Sequence, residues 1–328
     1  MCEDGDIDMK LGVFTVLFGQ LPFDEVLKKV KAAGLEAVEI GTGCYPGDSH
    51  VDLDGLLADA EKARVYRAMI EDHGLTISAL SCHGNPLHPK SSIAINDDEV
   101  FRKTIRLAER LGVSVVVNFS GCPGDSDTAS YPNWVTCPWP PDFQEVLSWQ
   151  WEKKAIPYWK EAATFAGDHG VKIALEPHPG FLVYNAETAL KLRAETGDAI
   201  GVNFDPSHFF WQGVDVPSAI RALGSAIYHF HAKDSALDPQ NVALNGVIDG
   251  KPYTEMASRA WLFRTVGWGH DLLVWKQIVS ALRLAGYDHV ISIEHEDALA
   301  SLDEGFMGAV DILNRAILRE PPVDAWWT

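Results

Sequence analysis

Residues 199–234 read AIGVNFDPSHFFWQGVDVPSAIRALGSAIYHFHAKD, and this stretch holds the unit from which the chain is built. It opens on an apolar run, Ala199–Asp205, short and β-rich, that finishes in an acid. A helical segment follows and stops at Gly224, the residue type that suits the turn past a helix end. A second apolar run, Ile227–Ala232, begins almost at once. Strand, helix and strand in close succession imply parallel pairing through a right-handed crossover.

The same alternation extends in both directions. The other predicted strands are Leu11–Phe18, Ala37–Gly41, Ile77–Cys82, Ser114–Phe119, Lys172–Glu176 and His289–Glu294. Helical segments lie between them. The first runs from Pro22 to Ala33, the second spans about Leu53 to His73, and the third is expected to open at the Asn96-Asp97-Asp98-Glu99 cap. The last covers about Leu302 to Leu318. Eight such units point to a closed (β/α)8 TIM barrel of the α/β class. The expectation is a single domain over 1–328, with the barrel at about 11–318 and short tails. No GxGxxG follows the first strand, so a nucleotide cofactor has no support.

Two connections are long: Gly121–Phe143, with Trp134 and Trp139, and Ser235–Thr265, with Trp261. Both follow strands, which places them at the face where barrel enzymes build their sites. Loops of that length are expected as lids without regular structure, or as contacts in a homo-oligomer. The bulk composition excludes other classes. With 27 basic residues against 46 acidic and a net charge of −19, the chain has no broad grip on nucleic acid or on an anionic membrane surface. The acidic N-terminus lacks a secretory pattern, and no apolar run reaches the length of a membrane helix. Cys2, Cys44, Cys82, Cys122 and Cys137 form no CxxC pair, so reduced thiols and a cytoplasmic setting are expected.

The strand ends carry the chemistry. Side chains alternate between faces along a strand. Ile173 and Leu175 oppose Ala174 and Glu176; Ile200, Val202 and Phe204 oppose Gly201, Asn203 and Asp205. Tyr228 and Phe230 oppose His229 and His231, and Ile291 and Ile293 oppose Ser292 and Glu294. In each case the bulky face suits the helices, and the other carries an acid or imidazole into the barrel. Three carboxylates and one imidazole would repel there without a cation. Oxygen-rich ligands with one His suit one divalent ion, Mn2+ or Mg2+, with Co2+ or Zn2+ open. Ordinary hydrogen-bonded strand ends are the alternative, and four strands in one phase argue against it.

These motifs resemble the xylose-isomerase-like TIM-barrel family, which gathers sugar isomerases, ketose 3-epimerases, inosose dehydratases and endonuclease IV. The resemblance covers nearly the whole chain and is carried by Leu175-Glu176-Pro177-His178, Asp205-x-x-His208, His231-x-Lys233-Asp234 and Ile293-Glu294-His295-Glu296. It implies that Glu176, Asp205, His231 and Glu294 are metal ligands and that Glu176 and Glu294 also serve as acid and base. It implies that His208 contacts substrate hydroxyls or a second metal. Endonuclease IV also needs an Asp-x-His pair where this chain has Trp261 and Phe263, so the nuclease reading loses two zinc ligands.

The leading expectation is a metal-dependent isomerase or epimerase of a sugar or cyclitol, removing a proton beside a carbonyl through a stabilised enediolate. The alternative expels a leaving group from an inosose or 3-keto glycoside, with His83 and His178 as candidate acid or base. A non-catalytic metal-binding subunit is a third class. Lys233 and Arg264 are the basic residues near the strand ends, and Trp134 suits stacking on a sugar face. Lys233 could equally pair with Asp234 or with a barrel carboxylate.

Overall fold

The computed structural model describes residues 9–320 and residue 327; the acidic N-terminal stretch, with Cys2, lies outside the described residues. Among the described residues ten strands form: β1 (Lys10–Phe14), β2 (Ala37–Gly41), β3 (Thr76–Ser81), β4 (Val115–Asn118), β5 (Lys172–Leu175), β6 (Ile200–Phe204), β7 (Ile227–Ala232), β8 (Asp234–Leu237), β9 (Trp261–Arg264) and β10 (Val290–Ile293). Eight of them close into a parallel barrel in the order β1-β10-β7-β6-β5-β4-β3-β2, and β8 and β9 pair as a separate antiparallel ribbon. Helices link the barrel strands. The apolar faces of β5, β6, β7 and β10 (Ile173, Leu175, Ile200, Val202, Phe204, Phe230, Ile291 and Ile293) join the helices in one continuous core. Among the described residues, no helix is long and apolar enough to cross a membrane.

The expected boundaries shift where tertiary contacts override local signals. The first strand ends at Phe14, and Thr15–Phe18 turn into a short 3-10 helix. The second helical segment breaks at Asp59, which leaves helical geometry so that its carboxylate can cap Glu61 and Lys62. The third helix begins at Ser91, ahead of the expected cap. Asp97 lies inside it instead, because its buried carboxylate accepts Asn85 N–H at 2.7 Å and the Cys44 thiol at 3.6 Å. An acid that resembles a helix cap in sequence is here a tertiary anchor.

Strand β7 carries the largest departure. Val202 pairs with Ile227 and Asn203 with His229, so Tyr228 is one residue too many for the ladder. This bulge turns Tyr228 away from the expected outer face. It clusters with Ala79, Val115, Val117 and Ala174, and a Cβ on Gly201 would collide with its ring. Its hydroxyl donates to Asp198 O and accepts from Arg193 Nη1. The lower barrel interior is therefore apolar, and the polar residues are stacked above it.

The two long connections differ from each other. Residues 121–141 carry no helix or strand, and Gln150 Nε2 clasps them through the carbonyls of Pro123, Gly124 and Asn133. The second connection contains the β8–β9 ribbon and a helix, Pro239–Asn245, so it is more regular than expected. Asp234 holds its far end by accepting the N–H groups of Gly267, Gly269 and His270.

Candidate functional site

Beyond the C-terminal ends of β5, β6 and β10, and on the last turn of β7, the chain delivers Glu176, Asp205, Glu294 and His231. One ligand atom from each lies within 4.8 Å of the others. Asp205 and His231 are fully buried, Glu176 is nearly so, and Glu294 is the most open of the four. His231 Nδ1 lies 2.8 Å from Glu294 Oε2 and 3.2 Å from Glu176 Oε2. Yet His231 Nδ1, Asp205 Oδ2 and Glu294 Oε2 are all buried without a well-directed hydrogen bond. Buried polar atoms are rarely left so. Three orphaned donor atoms on three strands, converging beside a fourth carboxylate, fit a divalent cation, and these four residues could hold one.

Basic and amide groups surround the carboxylates. Glu176 accepts from His83 Nε2 at 3.0 Å, His208 Nε2 at 3.2 Å and Asn203 Nδ2 at 2.8 Å. Lys233 Nζ sits 3.2 Å from Asp205, 3.0 Å from Glu294 and 3.1 Å from Glu296. Lys233 thus pairs with barrel carboxylates and not with Asp234. Burial alone would push these acids up. His83, His208 and His231 overcome it at Glu176, and Lys233 and His231 overcome it at Glu294, so both stay below the usual carboxylate range. Burial likewise opposes charge on His208, but Asp205 and Glu176 carry it up to about 9.

A second cluster shares His231 and was not legible at the strand ends. Glu39, in the middle of β2, is fully buried. It accepts from His229 Nε2 and His231 Nε2 at 2.9 Å each, from Ser81 Oγ at 2.5 Å and from Ser292 Oγ at 2.7 Å. Glu39, His229 and His231 also lie within ligand range of one another. Both Glu39 oxygens are already engaged, so we read this group as a support. Glu39 holds Nε2–H and so turns Nδ1 toward the other cluster, the arrangement by which a carboxylate orients a ligating imidazole. Against the effect of burial, the surrounding carboxylates raise His231 well above its ordinary value, and a bound cation would take the place of the Nδ1 proton. The available signal was an acid inside an otherwise apolar strand, Ala37-Val38-Glu39-Ile40-Gly41.

The remaining predicted residues divide. His178 Nδ1 donates to Pro179 O at 2.6 Å, and its ring lies 4.0 Å from that of His208. His178, His208 and Trp134 line a cavity of about 270 Å³ beside the cluster. Arg264 does not join them, because its guanidinium, on the ribbon, is bound 3.1 Å from Asp297 in the loop after β10. Trp261 stacks on Trp211 at 4.8 Å and Phe263 meets the His208 ring at 5.6 Å, so both close the wall with apolar surface. His270 is off the site, bound to Asp234 and stacked on Phe210. Cys44, Cys82, Cys122 and Cys137 are all free thiols, and burial pushes Cys82 and Cys122 up to about 12.

Known proteins carry the same architecture. The chain is 39% identical over 312 residues to the uncharacterized protein YfiH of Bacillus subtilis (strain 168), covering 94% of this chain and 99% of that one. It superposes on the probable 3-DHS dehydratase AsbF of Bacillus anthracis with a TM-score of 0.63 at 18% identity, over 93% and 99% of the two chains. It superposes on D-psicose 3-epimerase of Clostridium cellulolyticum H10 with a TM-score of 0.61 at 16% identity, over 94% and 98%. At these identities the two structures speak to fold alone. Residues 27–315 match the family model described as xylose isomerase-like TIM barrel. With the closed barrel and a carboxylate–imidazole cluster at its mouth, the chain belongs to the xylose isomerase-like TIM barrel family.

Proposed function

We propose that this chain is a divalent-metal-dependent isomerase or epimerase of a small sugar or cyclitol, with Glu176, Asp205, His231 and Glu294 as ligands and Glu176 and Glu294 as acid and base. The observation that carries the reading is the set of orphaned donor atoms, His231 Nδ1, Asp205 Oδ2 and Glu294 Oε2, gathered beside Glu176. A bound Mn2+ or Mg2+, or in their place Co2+ or Zn2+, supplies Lewis-acid polarisation of a carbonyl oxygen and so acidifies the neighbouring C–H. Glu294, the more open carboxylate, takes that proton, and one is returned through Glu176, which receives it from the His208 imidazolium bonded to it. His83, His208 and Asn203 hold Glu176 in place, and Lys233 does the same for Glu294. Glu39 holds Nε2–H of His231 and so turns Nδ1 toward the cation site.

Two measurements test this. Elemental analysis of protein purified without chelator is expected to give about one equivalent of divalent metal, and no metal after incubation with manganese would sink the ligand set. With the metal present, a panel of ketoses in deuterated water should take up deuterium beside the carbonyl. The Glu294→Gln variant should lower that rate by roughly 10²–10⁴-fold. Undiminished exchange would remove Glu294 from the role of base.

One observation favours a second reading, elimination from an inosose or 3-keto glycoside. Because His178 Nδ1 donates to the Pro179 carbonyl, Nε2 keeps a lone pair at the edge of the cavity. A group so placed suits proton transfer at a leaving group, as does His83 against Glu176. Release of unsaturated product, with His178→Gln slower than the parent, would select elimination over epimerisation.

A further inference from the structure

Beside the metal cluster, the 270 Å³ cavity has one unbalanced charge. Its walls are aromatic, with Trp134, Trp211, Trp261 and Tyr253. Arg259 lines it and is only 2% exposed. The guanidinium lies 4.3 Å from the Tyr253 ring and 4.9 Å from the Trp261 ring. Its Nε donates to Trp261 O at 3.2 Å and its Nη1 to Lys251 O, while Nη2 bonds to none of the described residues.

Among the described residues no carboxylate reaches ion-pair distance of Arg259. Asp249, the acid on the same loop, is committed elsewhere. Its Oδ1 accepts Lys251 N–H and Lys251 Nζ at 2.9 Å each, and its Oδ2 accepts Ala260 N–H at 2.6 Å. Lys251 and Asp249 therefore cancel, and Arg259 is left as a buried cation supported by two carbonyls and two rings. Buried charges are ordinarily paired, and the exception is all the more notable in a chain of net charge −19.

We infer that this cavity is a subsite for a carboxylate carried by the substrate, received by Arg259 with the neutral Lys251–Asp249 pair at its rim, so that the substrate is a sugar acid or a carboxylated cyclitol. The inference rests on the proposed reading of Glu176 and Glu294 as the reacting end. His208 joins the two halves, lining the cavity while bonding Glu176. A monoanion matches the single excess positive charge, whereas a phosphate dianion would leave a negative charge in a largely apolar wall. Three tryptophans line the cavity, which gives binding a direct optical signal.

The test uses the full chain freed of metal by chelator, with tryptophan fluorescence followed on titration of D-glucuronate, D-glucose and D-glucose 6-phosphate. D-glucuronate is expected to bind at least about tenfold more tightly than D-glucose, as one charge-assisted hydrogen bond would give. Arg259→Gln should erase that preference, and Lys251→Met, which unpairs the Asp249 carboxylate on the same loop, should weaken it. Equal binding of acid and neutral sugar, or a preference that survives in Arg259→Gln, overturns the proposal. If Arg259→Gln does not fold, a preference unchanged in Lys251→Met overturns it instead. Tighter binding of D-glucose 6-phosphate than of D-glucuronate overturns the carboxylate assignment in favour of phosphate. No metal takes part, so a negative result leaves the metal-centred reading standing. A preserved preference without deuterium exchange would sink the chemistry and keep the subsite.

Discussion

Two carboxylate–imidazole clusters meet at His231, and they are built to opposite ends. Around Glu39, two serines and two histidines fill both oxygens. Around Glu176, Asp205 and Glu294, three ligand atoms have charged neighbours but no well-directed hydrogen bond, although all are buried. The residue types are alike, and the carboxylate oxygens separate them: both of Glu39 are hydrogen-bonded, whereas Asp205 Oδ2 and Glu294 Oε2 are not, even though His229 Nδ1 in the first cluster is also without a hydrogen bond. A filled cluster fixes geometry, and an unfilled one leaves a place for something to bind.

The contrast can be broken most sharply at Asp205. Asp205→Asn keeps the cap on Ser207 N–H but removes one ligand charge from the open cluster. Metal affinity should fall by more than the roughly 10–100-fold typical of supporting residues, with the fold intact by circular dichroism. Elemental analysis of the dialysed variant checks this, and full occupancy would exclude Asp205 as a ligand. Glu39→Gln probes the closed cluster. It retains an acceptor for His231 and should lower metal affinity by about 10–100-fold, while exchange at saturating metal stays near the parental rate. Lost exchange at full occupancy would make Glu39 part of the chemistry.

Below both clusters the barrel floor is apolar and should respond in stability alone. Gly201→Ala drives a methyl group into the Tyr228 ring, and overpacking of this kind costs about 1–3 kcal/mol. Urea unfolding should register that loss with metal content unchanged. An effect that disappears at neutral pH is expected at His289, just before β10, where Nε2 faces Ser78 O. Burial first, and then the neighbouring His229, lowers His289 to about 4 from an ordinary value near 6.5. The folded protein then binds fewer protons than the unfolded chain between those values. The His289 contribution is therefore fully present above pH 6.5 and lost as the pH falls toward 4, with a slope of up to about 1.4 kcal/mol per pH unit. His289→Asn should flatten that part of the stability profile, and an unchanged slope would assign it to other groups.

How much was legible follows from the range of each signal. Strand alternation is local, so residues 199–234 alone disclosed the repeating unit, and the two-residue period placed Glu176, Asp205, His231 and Glu294 on one side of their strands. The same rule failed at Tyr228, because a bulge depends on how β6 and β7 pair and leaves no local mark. Arg264 looked available in sequence, since its partner Asp297 lies on a different element.

By itself, then, the sequence determined the eight strand–helix units, the face on which each strand-end acid lies, and the absence of the Asp-x-His pair at Trp261 and Phe263. These are set by short-range periodicity and by residue identity. Only the tertiary structure decided that Glu39, 192 residues from His231 along the chain, supports it, and that Lys233 faces three carboxylates at once. It also decided that Arg259 is buried with no carboxylate of the described residues at ion-pair distance. Those facts depend on barrel closure and loop placement, which bring together groups that no local pattern relates.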